Sequence, residues 1–207
     1  SNFTEPGKRT VNYVVFDSSN NASTLTRTLE YTDYTSPQIR LSAPLRYSLD
    51  ELQDVDLTEN MSVNDCLDGD ITQDIRATFS NSIYISQAGD YSVVVQVSNS
   101  AGDTCSVPLT ITVTDSESEQ GYYPVLSDYI VYTEVGRAVD TSDLLIGLER
   151  GGTQYLFGGG RVAPGSRSEV RISGDVDYNT PGTYAVDYSF TSEDGQTATT
   201  KLAVVVR

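Results

Sequence analysis

Two cysteines, Cys66 and Cys105, two lysines, Lys8 and Lys201, and an excess of carboxylates are the reactive groups of this sequence, and no histidine accompanies them. The commonest general base is therefore missing, and a nucleophilic cysteine would lack the partner that holds it as a thiolate. Acidic residues number 29, so carboxylate pairs at glycosidase-like spacing arise in any case and mean nothing without a cleft to frame them. The chain reads as a protein that is not an enzyme. A Lys–Asn isopeptide crosslink would have to use Lys8 or Lys201, and nothing in the spacing supports one.

Binding chemistry has two candidates. The stretch with Asn64, Asp65, Asp68, Asp70 and Asp74 gathers hard oxygen ligands of the kind calcium takes six to eight of. Its spacing misses the EF-hand loop. The competing reading makes Asp68-Gly69-Asp70 a turn whose carboxylates accept backbone N–H groups, and Asp175, Asp177 and Asn179 allow the same two readings. Calcium is the one cofactor the residues allow, and none is required. The second candidate is aromatic: Tyr155 and Phe157 in a glycine-rich segment, with Tyr122, Tyr123, Tyr129 and Tyr132 before it, could offer a stacking surface to a sugar or a protein. Alternation in DYIVYTEV equally lets some of these rings line a core.

Charge narrows the partners. With 13 basic residues against 29 acidic ones and a formal net charge of −16, the chain lacks the clustered lysine and arginine that bind phosphate backbones, so no nucleic-acid partner is expected. No run approaches the roughly 18 uninterrupted apolar residues that cross a bilayer, and the first residues lack the pattern of a signal peptide. Membrane insertion is not expected in this segment, and any export signal or wall anchor is expected outside it.

One pattern recurs three times along the chain, beginning at Pro6-Gly7, Ala88-Gly89 and Pro181-Gly182. Each copy runs as period-two alternation, a turn cluster, then alternation again, and the copies align without a gap. Alternation of Tyr91, Val93, Val95 and Val97, then Val107, Leu109, Ile111 and Val113, predicts a β-hairpin with one buried face. Asn20, Gly102 and Gly195 fall at the turns, where positive φ is tolerated. Pro108 cannot donate to a ladder and marks an edge or a bulge. Copies start 82 residues apart (89 − 7) and then 93 apart (182 − 89), a spacing that fits one small sandwich per interval. The longer interval is assigned to Gly147–Gly165, read as a protruding loop or small hairpin. Single helical turns are allowed at Leu49–Leu57 and Ser142–Glu149, and the class is all-β.

The segment DVDLTENMSVNDCLDGDITQDIRATF, Asp54–Phe79, followed by Gly89, Tyr91 and the Ser100-Ala101-Gly102-Asp103 turn, resembles the bacterial immunoglobulin-like domains of the pesticidal-crystal-protein type. It is also similar to hyalin-repeat domains, in which a cysteine in the acidic loop is followed by another early in the last strand. The resemblance covers residues 35–115. The third copy keeps Pro181-Gly182-Thr183-Tyr184 but has no Asp-Gly-Asp-Ile-Thr. What this implies is tandem immunoglobulin-like β-sandwiches in a bacterial surface or secreted protein. The register of the three copies bounds a sandwich in 35–115 and a second in 116–207, and leaves in 1–34 a terminal hairpin of a partial module whose partner the sequence leaves open: the following module, a contact with another copy, or a module cut away.

Within that frame Cys66 and Cys105 fall at one end of the middle sandwich. Their pairing would close a loop of about 40 residues and stabilise by roughly 3–4 kcal/mol; two free thiols are the alternative. Tyr91 and Tyr184, two residues after their glycines, are placed to bury their rings and anchor their hydroxyls at a sandwich corner. Asp115–Pro124, acidic and without alternation, reads as a short hinge. The function expected is an extracellular spacer or stalk, with an adhesin or carbohydrate-binding module using Tyr155 and Phe157 as the alternative. Partners are then proteins or carbohydrates at the cell surface.

Overall fold

The computed structural model describes residues 7–31, 34–80, 85–115 and 118–207. It is all-β, and the three repeated copies are its organising ribbons. They pair as β1 (Gly7–Phe16) with β2 (Ala22–Tyr31), β9 (Gly89–Ser98) with β10 (Thr104–Thr114), and β16 (Gly182–Thr191) with β17 (Thr197–Val206), each antiparallel. The five-residue turns superimpose in chemistry. Asp17, Asn99 and Ser192 each donate N–H to the carbonyl four residues on and accept from the N–H three residues on. The donor of that second bond is Asn20 (φ 61°), Gly102 (φ 82°) or Gly195 (φ 85°). Only glycine or asparagine enters that left-handed region at low cost.

Between the first and second ribbons lie β3 (Arg40–Leu41), β4 (Arg46–Ser48), β5 (Met61–Ser62), β6 (Asn64–Asp65), β7 (Gly69–Asp70) and β8 (Arg76–Phe79). The first sandwich sets the sheet β4-β10-β9-β8 against the short pairs β3-β5 and β6-β7. Its strand β4 runs parallel to β10 and β8 antiparallel to β9. Alternation is realised as read: Val93, Val95, Val97, Val107 and Ile111 are buried against Ile39, Met61, Val63 and Ile75. Each such side chain withdraws about 1.5–3 kcal/mol worth of apolar surface from water. Pro108 is tolerated because β4 pairs only with Thr112–Thr114, leaving β10 a free edge at the proline.

The second sandwich repeats the plan with β11 (Tyr123–Leu126), β12 (Ile130–Thr133), β13 (Leu145–Arg150), β14 (Thr153–Leu156) and β15 (Arg171–Ser173). Its sheets are β12-β17-β16-β15 and β11-β13-β14; β12 is parallel to β17 and β15 antiparallel to β16. The glycine-rich segment is not a protrusion throughout. Its first part is the hairpin β13–β14, turned by Gly151 and Gly152 at positive φ, and it builds one of the two sheets. Gly147 permits this pairing, because a Cβ there would lie 2.5 Å from the Tyr155 carbonyl oxygen. Short 3-10 turns occur at Glu51–Gln53 and Thr141–Leu144, within or beside the two stretches expected to hold single turns.

Candidate functional site

The acidic loop folds as a turn that satisfies itself. Asp65, buried on the β6–β7 hairpin, accepts N–H bonds from Leu67 (2.8 Å) and Asp68 (3.1 Å) and one from the Asn99 amide (3.3 Å). Asp68 turns the other way, onto the Ser100 hydroxyl (2.6 Å) and N–H (2.5 Å), which together hold its carboxyl below the usual carboxylate range. Asp70 is held down likewise by the Thr72 hydroxyl and N–H. The three carboxylates therefore spend their lone pairs on different partners. Among the described residues no group of three or more acidic, cysteine or histidine side chains could hold a metal ion.

Asn99 ties this loop to the ribbon turn. Its amide donates to the Tyr34 hydroxyl (2.9 Å) as well as to Asp65, while its own oxygen accepts from Ala101 and Asp103. Tyr34 in turn donates to Asp103 at 2.6 Å. Burial, reinforced by the Asp103 carboxylate, pushes the Tyr34 phenol up to about 12.

The expected disulfide is not formed: both cysteines are free thiols. Exposed Cys66 lies against the Thr35 backbone, donating to its carbonyl at 3.2 Å, whereas Cys105, second residue of β10, lies 3.5 Å from the Tyr132 hydroxyl of the other sandwich. Sharing one end of a module brings the two sulfurs onto different neighbours, not onto each other.

Tyr91 and Tyr184 behave as expected of corner tyrosines. Their hydroxyls donate to the carbonyls four residues upstream, Gln87 at 2.8 Å and Thr180 at 2.9 Å, and their rings pack on the core. The tyrosines considered for a stacking surface are largely internal. Tyr123 and Tyr129 are buried, and Tyr122 meets Tyr155 edge-on with centroids 6.0 Å apart. Tyr155 and Phe157 are half-buried, and it is Leu156 between them that faces solvent.

What the sequence reading missed is the joint. Of the presumed hinge, Ser116 and Glu117 lie outside the described residues. Asp115 is bonded to Ser118 through backbone and side chain, and Tyr123–Leu126 is buried along its whole length. Across the joint, the Tyr132 hydroxyl both accepts from the Ile39 N–H (2.9 Å) and donates to the Ile39 carbonyl (3.0 Å). Burial pushes this phenol well above the ordinary tyrosine range, and the Arg207 guanidinium lies over its ring. Tyr129 donates its N–H to Leu41 of β3 and its carbonyl accepts from Ala203 of β17, so the backbone of one residue stitches the two modules. Arg46 of β4 stacks on Tyr123, 3.8 Å from its centroid, and pairs with Glu149 of β13.

Where the outer faces of the two main sheets approach, Lys201 of β17 bridges Asp187 (3.2 Å) and Asp90 of β9 (3.3 Å). Its ammonium titrates above the ordinary lysine value because those carboxylates outweigh the opposing effect of burial. Lys201 is thus committed to ion pairs. Beside it a half-open cleft of ≈ 210 Å³ runs between Pro44, Pro108 and Thr110 on one module and Tyr184 and Ala185 on the other. The sequence signal for this contact was the run Leu202-Ala203-Val204-Val205-Val206, which does not alternate. Its even members face the module's own core, and Ala203 on the other face is also buried, as a strand covered on both sides requires.

A family described as "Bacterial surface protein, Ig-like domain" matches residues 161–206, the third repeat and its approach. No curated protein sequence matches the chain. Among solved structures, the chain is similar to the CBM51-2 and INT domains of Clostridium perfringens ZmpB, at 21% identity and TM-score 0.31, over 79% of this chain and 26% of that one. A second ZmpB structure, with the M60 catalytic domain and both CBM51 domains, aligns at 10% identity and TM-score 0.31, over 94% of this chain and 33% of that one. Drosophila N-cadherin EC1-4 aligns at 15% identity and TM-score 0.30, over 95% of this chain and 58% of that one. The chain thus spans about a quarter to a third of the ZmpB structures it matches, and likeness at this level carries no functional argument. The fold itself is plain: an all-β chain of immunoglobulin-like sandwiches.

Proposed function

We propose that this chain is a non-catalytic, extracellular segment of a bacterial surface or secreted protein, in which two interlocked immunoglobulin-like sandwiches act as a stiff spacer. The observation that carries the reading is the joint. Tyr132 on Ile39, Tyr129 on Leu41, Arg46 on Tyr123 and Glu149, and Lys201 on Asp90 hold the modules to each other through side chains and backbone. A spacer needs such resistance to bending, and a flexible tether does not. The matched surface-protein family supports the location. Resemblance of the middle module to the pesticidal-crystal-protein type belongs to the same reading.

Glycan or protein recognition through Tyr155 and Phe157 is disfavoured by the packing of both rings. A glycan array and a serum-protein pull-down with the 207-residue chain test the choice. The spacer reading expects no hit, and a hit abolished by Tyr155→Ala or Phe157→Ala would replace it with a recognition role.

A further inference from the structure

The β1–β2 ribbon has the sequence of a core element without a core. In the gapless register of the repeats, Tyr13, Val15, Leu25 and Leu29 occupy the places of Val95, Val97, Val107 and Ile111. The latter are 0–2% exposed, whereas the former are 43–68% exposed. A two-stranded ribbon is marginal alone in water, and an apolar face of this kind marks a surface that is covered in the working molecule.

How such a ribbon is completed is visible twice in this chain: its edges are paired in-sheet, and its apolar face meets an opposing layer, β3-β5 in the first sandwich and β11-β13-β14 in the second. The second strand of each complete ribbon receives a short parallel strand, β4 on β10 and β12 on β17, and the first receives an antiparallel one, β8 on β9 and β15 on β16. All four flanking strands, and the strands of both opposing layers, precede the ribbon they complete. The polypeptide that follows β2 is already committed, since Tyr34, Ile39 and Leu41 build the first sandwich. A second copy of the chain would instead bring another Arg27 against the Arg27 of the same face.

We propose that the Val11, Tyr13, Val15, Leu25 and Leu29 face is the docking surface for the early strands of a third sandwich, carried by polypeptide on the N-terminal side of this ribbon. That segment supplies a strand parallel to β2, a strand antiparallel to β1, and an apolar layer over the face. The inference stands whether or not the sandwiches bind a ligand.

Hydrogen exchange read by mass spectrometry tests it, on the 207-residue chain and on the chain extended by the ~80 residues encoded before it, a sandwich less its last ribbon. Extension is expected to slow exchange in β1 and β2 by about 100-fold or more. Tyr13→Asp in the extended chain should restore fast exchange there, while Thr26→Asp on the opposite face should not. Ribbons β9–β10 and β16–β17 stay protected throughout and report that each variant is folded. Unchanged exchange on extension would overturn the proposal. So would an upstream sequence without alternating apolar strands, or a 207-residue chain whose ribbon is already protected in a sedimenting dimer.

Discussion

Tyr132 illustrates how much one side chain does at the joint. Its hydroxyl exchanges two hydrogen bonds with the backbone of fully buried Ile39, 93 residues away. Tyr132→Phe leaves a buried N–H and C=O without partners, which costs about 1–3 kcal/mol, and urea unfolding should show that loss with little change of fold. Asn99 is the equivalent inside the first module. Asn99→Ala is expected to cost about 1–3 kcal/mol, because Asp65 loses its amide donor in a buried site. Asp17→Ala, the same turn position in the exposed first ribbon, should change the melting temperature little.

Tyr91 and Tyr184 could be read from sequence because a glycine two residues before a tyrosine, at the start of an alternating strand, fixes where ring and hydroxyl go. Tyr132 could not. In DYIVYTEV it is indistinguishable from any core tyrosine until its distant partner is known. The cysteine pairing failed for a related reason: sequence places a residue at one end of a sandwich but not on one side of it, and Cys105 lies toward the neighbouring module.

At the scale of elements, the ribbons were the legible part, since alternation and a positive-φ turn residue together determine both strands and their register. Of the two readings of the glycine-rich stretch, the small hairpin holds for its first part, β13–β14, and what spacing did not reveal is that glycine there does more than turn the chain. At Gly147 it admits a close strand, with the Tyr155 carbonyl where a side chain would be. Gly147→Ala must push β13 and β14 apart, and a thermal melt should report a loss of about 1–3 kcal/mol.

The whole molecule has a pH window set from both sides. Asp56, Asp68, Asp70, Asp140 and Asp177 are held below the usual carboxylate range by neighbouring hydroxyl and N–H donors. Their contribution is complete above the unfolded value of about 3.9 and is lost as pH falls through the lower folded values. Tyr34 and Tyr188, both pushed up to about 12 with burial the largest cause, contribute fully below the unfolded value of about 10, as does Lys201 below its own. Those contributions disappear as pH rises through the raised folded values. Denaturant midpoints should therefore be flat from about pH 5 to 9 and fall on either side.

Stiffness at the joint is what separates a spacer from two beads on a string. Amide residual dipolar couplings from the 207-residue chain, fitted separately for the ribbons β9–β10 and β16–β17 and their covering strands, measure it directly. A single alignment tensor for both sandwiches, with the orientation set by the Tyr132–Ile39 and Arg46–Glu149 contacts, is the result expected. Two tensors of different magnitude, reporting modules that reorient independently, would contradict it.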